Sequence, residues 1–135
     1  MNQQMSRLNI SSGTTWESVV GYSRAVRIGN WVCVSGTTAA DENTLPVGIG
    51  DPYEQTAYTI RKIERALRQA GATLEDVVRT RIFIVNTDDW EQVGRAHGEI
   101  FGKIRPACTM VTVKGLIGAD YLVEIEADAF IQDRT

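Results

Sequence analysis

Val123-Glu124-Ile125-Glu126-Ala127-Asp128-Ala129 alternates without a break. Glu124, Glu126 and Asp128 fall on one side of an extended chain; Val123, Ile125, Ala127 and Ala129 fall on the other. A period of two with one apolar side is the pattern of a strand half covered by a core. The preceding segment, Arg105-Pro106-Ala107-Cys108-Thr109-Met110-Val111-Thr112-Val113, reads as a second strand, so strands are expected over 107–113 and 121–131.

Upstream the period changes. Asp51-Pro52-Tyr53-Glu54 is a helix start, with Asp51 as cap, Pro52 in the first turn and Glu54 three residues beyond the cap. Tyr53, Ala57, Ile60, Ile63, Leu67 and Ala70 then keep helical spacing, and Gly71 is a natural stop. A capped turn at 73–76 leads into a strand over 77–85, and a second helix opens near Asp88, with Trp90, Val93, His97, Ile100 and Phe101 on its buried side. Towards the N-terminus, two β-rich runs at 22–28 and 31–35 flank Gly29-Asn30, a hairpin signal. Residues 1–18 read as an irregular arm with one short edge strand at Arg7–Ile10, and 37–50, punctuated by Pro46, Gly48 and Gly50, as a long loop. The order is ββαβαββ, preceded by that edge strand.

Two helices with one apolar stripe each need one sheet to cover them. The expected fold is an α+β two-layer sandwich over 1–135, a mixed sheet with both helices on one face. The other sheet face would then show residues drawn from Tyr22, Arg24, Cys108, Met110, Glu124 and Glu126. A face that mixes charge with Met and Val patches is costly to leave in water, so self-association is expected.

Composition narrows the function classes. The 135 residues are 43% hydrophobic and 23% charged, with 14 basic and 17 acidic residues giving a net charge of −3. A weakly acidic chain has no electrostatic pull towards polyphosphates, and nucleic acid is an unfavoured partner. No apolar run reaches the ~18 residues of a membrane span, and 1–9 lack an apolar signal core, so the cytoplasm is the expected compartment. Cys33, Cys108 and His97 are too few for a clustered Cys/His zinc site, so no metal is expected. A Cys33–Cys108 disulfide is conceivable but disfavoured in a reducing compartment.

Gly21-Tyr22, Gly29-Asn30, Val34-Ser35-Gly36, the helix from Gln55 to Gly71, the strand from Thr80 to Val85, Pro106-Ala107 and Val123-Glu124-Ile125-Glu126-Ala127 occur in an order and spacing that resembles the RidA (YjgF-like) family. The resemblance covers roughly residues 20–131. It implies a chorismate-mutase-like homotrimer with ligand clefts between subunits, and cofactor-free hydrolysis of reactive enamines and imines. It also implies site roles: Glu124 positions water, Tyr22 donates to the substrate, and backbone groups near Ser35 and Gly36 complete the site. The family's cleft arginine, which grips a carboxylate with two prongs, falls at Cys108, and a family asparagine falls at Gly94. A thiol is never cationic, so the usual grip is missing. Arg24 shares strand parity with Tyr22 and is the candidate replacement; Arg105, three residues before Cys108, would point away from it in a regular strand.

Three functions follow. The first is a trimer binding a small carbonyl or imine metabolite, with deaminase activity on an altered substrate. The second is a trimer that senses a ligand or scaffolds without catalysis. The third is endoribonuclease-like RNA binding. Each residue also has a plainer reading. Glu124 would be one of three carboxylates on a solvated face, Cys108 a small buried hydrophobe, His97 a packed imidazole bonded to a carbonyl, and Tyr22 an interface aromatic. Arg61, Lys62, Arg65, Arg68, Arg79 and Arg81 read as solvated charge, and Trp31 and Trp90 as packing residues.

Overall fold

The structure, a computed structural model, describes residues 6–132. Residues 1–5 of the expected arm, and 133–135, lie outside the described residues. The elements are β1 (Arg7–Ile10), α1 (Thr15–Val20), β2 (Ala25–Ile28), β3 (Trp31–Thr37), α2 (Pro52–Gln69), β4 (Val77–Ile84), α3 (Trp90–Phe101), β5 (Ala107–Thr112) and β6 (Val123–Phe130). One six-stranded sheet runs β1-β2-β3-β6-β4-β5. All pairings are antiparallel except β4 with β5, which are joined through α3. The expected two-layer α+β sandwich is the fold found.

The alternation in β6 has the expected physical result. Val123, Ile125, Ala127 and Ala129 are buried, and pack with Val32, Val34, Ile82 and Ile84 of the sheet and Ile60, Ile63, Leu67 and Val93 of the helices. The start of α2 is capped as its sequence implies, the Asp51 side chain accepting from the Glu54 amide at 3.0 Å. Gly71 takes φ 87° to end it, and Arg27 donates to the Ala70 carbonyl at 2.7 Å, placing a cation at the helix C-terminus.

Several expectations need correction. The end of the expected arm is not irregular: helix α1 runs from Thr15 to Val20, anchored because Glu17 turns back to accept from the Ser12 hydroxyl at 2.6 Å and the Ser12 amide at 2.9 Å. Trp31 and Trp90 are not core packing residues: they are 43% and 55% exposed. Trp31 lies edge-on to Phe130 with ring centroids 6.1 Å apart. Cys108 and Met110 are not on the open sheet face. The parallel register sets Cys108 beside Thr80 and Met110 beside Ile82, on the side the helices cover, and Met110 packs against the core. Thr109 and Val111 take the open face instead, beside Arg81 and Phe83. Both cysteines are free and exposed.

Candidate functional site

The open sheet face carries the three carboxylates, and its register separates their roles. Glu126 lies opposite Arg81 and Asp128 opposite Arg79. The Arg81 guanidinium reaches both carboxylates at 3.2 Å, tying two of the three into one ion-pair network. Glu124 lies opposite Phe83 and has no ion pair among the described residues. Burial raises its carboxyl above the ordinary value of 4.5, Arg24 opposes that rise and Glu126 adds to it.

Glu124 sits where the backbone of β3 makes room for it. A Cβ on Gly36 would overlap Glu124 Oε2 and lie 3.1 Å from its carboxyl carbon. Glycine is required here for close approach, and the register of β3 against β6 breaks at this point, between Val34 and Thr37. Arg24 closes the group from the β2 side. Its Nη2 donates to the Gly36 carbonyl at 2.6 Å, and its guanidinium carbon lies 6.0 Å from the centre of the Tyr22 ring. Thus Tyr22, Arg24, Gly36 and Glu124 converge. Ser35 is adjacent, but its hydroxyl donates to the Ser23 carbonyl at 2.6 Å and braces the hairpin.

Cys108 stands apart, across the sheet on edge strand β5, in register with Thr80. Thr80 is fully buried and shares a 2.9 Å hydrogen bond with His97 Nε2. His97 therefore pairs with a hydroxyl and not with the expected carbonyl. Burial lowers its pKa below 6.5, favouring the neutral imidazole. Arg105 leaves the strand pattern altogether: it takes φ 60° and donates to the Gly102 carbonyl at 3.1 Å.

One residue read from sequence as solvated charge belongs near this group. Lys62 of α2 is half-buried and donates to the Thr38 carbonyl at 2.7 Å. Burial first, then Arg24 and Arg65, push its pKa down to about 8. The signal was present in the spacing. Gln55, Thr59 and Lys62 form a polar line at i, i+4 and i+7 beside the apolar stripe, and Gln55 and Thr59 are fully buried. Gln55 uses its position to hold the segment before β6, donating to the Asp120 carbonyl and accepting from the Leu122 amide, both at 2.8 Å.

A six-stranded mixed sheet with two helices on one face, and a lone carboxylate seated over a strand glycine, define a RidA-like α+β protein. Residues 13–131 match the family described as Endoribonuclease L-PSP, and the chain belongs to that family, whose members are also called YjgF, RutC or UK114 proteins. It is 52% identical to a YjgF/YER057c/UK114 family member from Mycobacterium tuberculosis; that structure superposes with a TM-score of 0.85 over 93% of this chain and 100% of the other. An uncharacterised protein of Streptomyces coelicolor is 40% identical over 90% of each chain. A 3-aminoacrylate deaminase, RutC of Acinetobacter baylyi, is 36% identical over 82% of this chain and 86% of its own length.

Proposed function

We propose that the protein is a cytoplasmic homotrimer that binds a small carbonyl or imine metabolite in clefts between subunits, and hydrolyses enamines or imines there without a cofactor. The observation that carries this reading is the convergence of Tyr22, Arg24, Gly36 and Glu124 around one carboxylate left out of the Arg81 network. A half-buried carboxylate whose pKa is raised is a better base than a solvated one, and suits the task of orienting water towards an imine carbon. The Tyr22 hydroxyl supplies a donor for the developing amine. Release of ammonia then leaves a carbonyl product, with Glu124 returning the proton it took from water. The relative named as a 3-aminoacrylate deaminase supports the reaction class.

The make-up of the open sheet face supports association. The open face offers Val26, Cys33, Phe83 and Val111 together with exposed Ile28, Trp31 and Phe130, a surface a neighbouring subunit would cover. Cys108 and Glu124 lie on opposite sides of the sheet, so a cleft that uses both draws them from two subunits. Cys108 in place of the family arginine also supports a second reading, a trimer that binds its ligand without turnover.

The test is pyruvate release from 2-aminoacrylate generated from serine by a dehydratase. Acceleration that disappears in Glu124→Gln is the expected result. No acceleration at high protein concentration retires the deaminase reading, and ligand binding retained under those conditions selects the non-catalytic one. RNA binding has little support: Arg81 is engaged by carboxylates and Lys62 is turned inward.

A further inference from the structure

The outer side of α2 carries more positive charge than its helix needs. Arg61, Arg65 and Arg68 are exposed at i, i+4 and i+7 and form one ridge. Arg68 lies in the last turn, where it complements the helix dipole and pairs with Glu64 at 3.1 Å. Arg61 and Arg65 lie before that turn, and among the described residues neither makes an ion pair or a side-chain hydrogen bond. Like charges one turn apart weaken a helix, so the ridge costs stability where it stands. A depression of about 470 Å³ runs along it. A second, of about 320 Å³, continues it between α2 and α3, and the two share Arg61 and Glu64. The floor of the second is apolar, with Ala57, Ile60 and Ala96 buried beside the partly buried Leu74 and Ile100. The acids at its rim are engaged within the chain: Glu64 by Arg68, and Glu99 by the Tyr53 hydroxyl, which donates to it at 2.6 Å.

We propose that this groove docks an acidic segment of a partner protein, with carboxylates on Arg61 and Arg65 and an apolar side chain seated between α2 and α3. From Tyr53 to Gln69, which line its two ends, the helix runs about 24 Å, the length of about seven extended residues. Guanidinium forks match carboxylate geometry, and an apolar centre rimmed by charge is the make-up of a specific protein interface. Single-stranded RNA fits the groove less well. Tyr53 is the one aromatic residue lining either depression, and it is already engaged: the Arg95 guanidinium lies 4.7 Å from its ring centre and Glu99 holds its hydroxyl, so it is a poor platform for a base. The helices cover the sheet face opposite the one proposed for association, so the groove stays open in a trimer. Docking here is independent of chemistry at Glu124, and neither reading depends on the other.

The probe is a fluorescein-labelled heptapeptide of alternating glutamate and leucine, with glutamine–leucine and glutamate–serine peptides of the same length as controls. Fluorescence anisotropy at low salt measures the binding of each to the full chain. The glutamate–leucine peptide is expected to bind about tenfold tighter than the glutamine–leucine one, as two exposed charge pairs allow, and to weaken as salt is added. It should also bind tighter than the glutamate–serine peptide, which has nothing to seat on the apolar floor. Arg61→Gln and Arg65→Gln together should remove the preference for acid. Both positions are exposed, so the fold should survive the change, and a thermal melt checks it. Lys103→Gln with Lys114→Gln removes the same charge from exposed sites outside the groove and should leave binding unchanged.

Equal binding of the glutamate–leucine and glutamine–leucine peptides, or binding of neither, overturns the docking site. An equal loss in the Lys103 and Lys114 variant overturns it as well, since net charge alone would then account for the effect. A glutamate–serine peptide that binds as tightly as the glutamate–leucine one overturns the apolar seat. Oligouridylate that displaces the acidic peptide, binds more tightly than it and depends on Arg61 and Arg65 overturns the peptide reading in favour of RNA.

Discussion

Gly36→Ala separates fold from site in one methyl group. The position does not have a left-handed φ, so alanine is allowed by the backbone and the new Cβ acts only through space. It would overlap Glu124 Oε2 and stand 3.1 Å from the carboxyl carbon and 3.4 Å from Cγ. The carboxylate must retreat by about 1 Å to recover normal contact distance. The moving atom ends a flexible side chain, so strain is small, and the lost freedom of the unfolded glycine offsets part of it; stability should change by less than about 1 kcal/mol. The chemistry is less tolerant, because a displacement of about 1 Å in a reacting group costs about a hundredfold in rate. Urea denaturation and the dehydratase-coupled pyruvate assay measure the two effects. A third measurement, carbon-detected NMR titration of Glu124, should show its pKa falling back towards 4.5 as the carboxylate is pushed to solvent. Unchanged turnover together with an unchanged Glu124 titration would refute the claim that Gly36 seats this carboxylate.

Glu124→Gln should raise thermal stability at neutral pH and lose that advantage near pH 4. A raised carboxyl pKa means the folded state binds more protons than the unfolded chain, so stability falls as pH climbs from 4.5 through the folded value, and glutamine removes the fall. Lys62 has the opposite sign: its folded pKa lies at about 8 against 10.5 unfolded, so stability should rise with pH across that window, and a Lys62→Met denaturation series should show no such rise. Thr80→Val, isosteric and fully buried, should cost about 1–3 kcal/mol in urea denaturation by leaving His97 Nε2 unpaired. Light scattering should report a mass near three times 14.9 kDa, and a monomer would remove the clefts.

What could be read from sequence follows the contrast each segment carries. β6 was legible because every second residue is apolar and its neighbours are acidic, and the core then buries four of the eight. α2 was legible because Asp51, Pro52 and Gly71 mark its ends and the stripe between them keeps one phase. β5 has little contrast. Only Met110 is partly buried in Ala107–Thr112, so nothing in its pattern selects a face, and the parallel register that sets Cys108 beside Thr80 is a tertiary property. The left-handed Arg105 just ahead of it also cancels any parity carried in from the preceding turn. α1 leaves little trace in the sequence because it is six residues long and its Thr14 hydroxyl caps no helix amide, donating instead to the Glu17 carboxylate at 3.4 Å. Within the site, Tyr22 and Glu124 were visible as residue types on suitable strands. Lys62 was marked only by its spacing from Gln55 and Thr59, because a lysine beside an apolar stripe reads equally as exposed or inward until β3 is laid against α2.

The order of strands has a consequence for how the molecule comes into being. β6, the last strand in sequence, lies in the middle of the sheet, between β3 and β4. During synthesis β3 and β4 therefore cannot complete their pairing until β6 has been made. Long-range pairing of this kind is slow and leaves sticky edges exposed to other nascent chains. The carboxylate on which the proposed chemistry depends arrives with that closing segment, so no partly made copy can carry a working cleft.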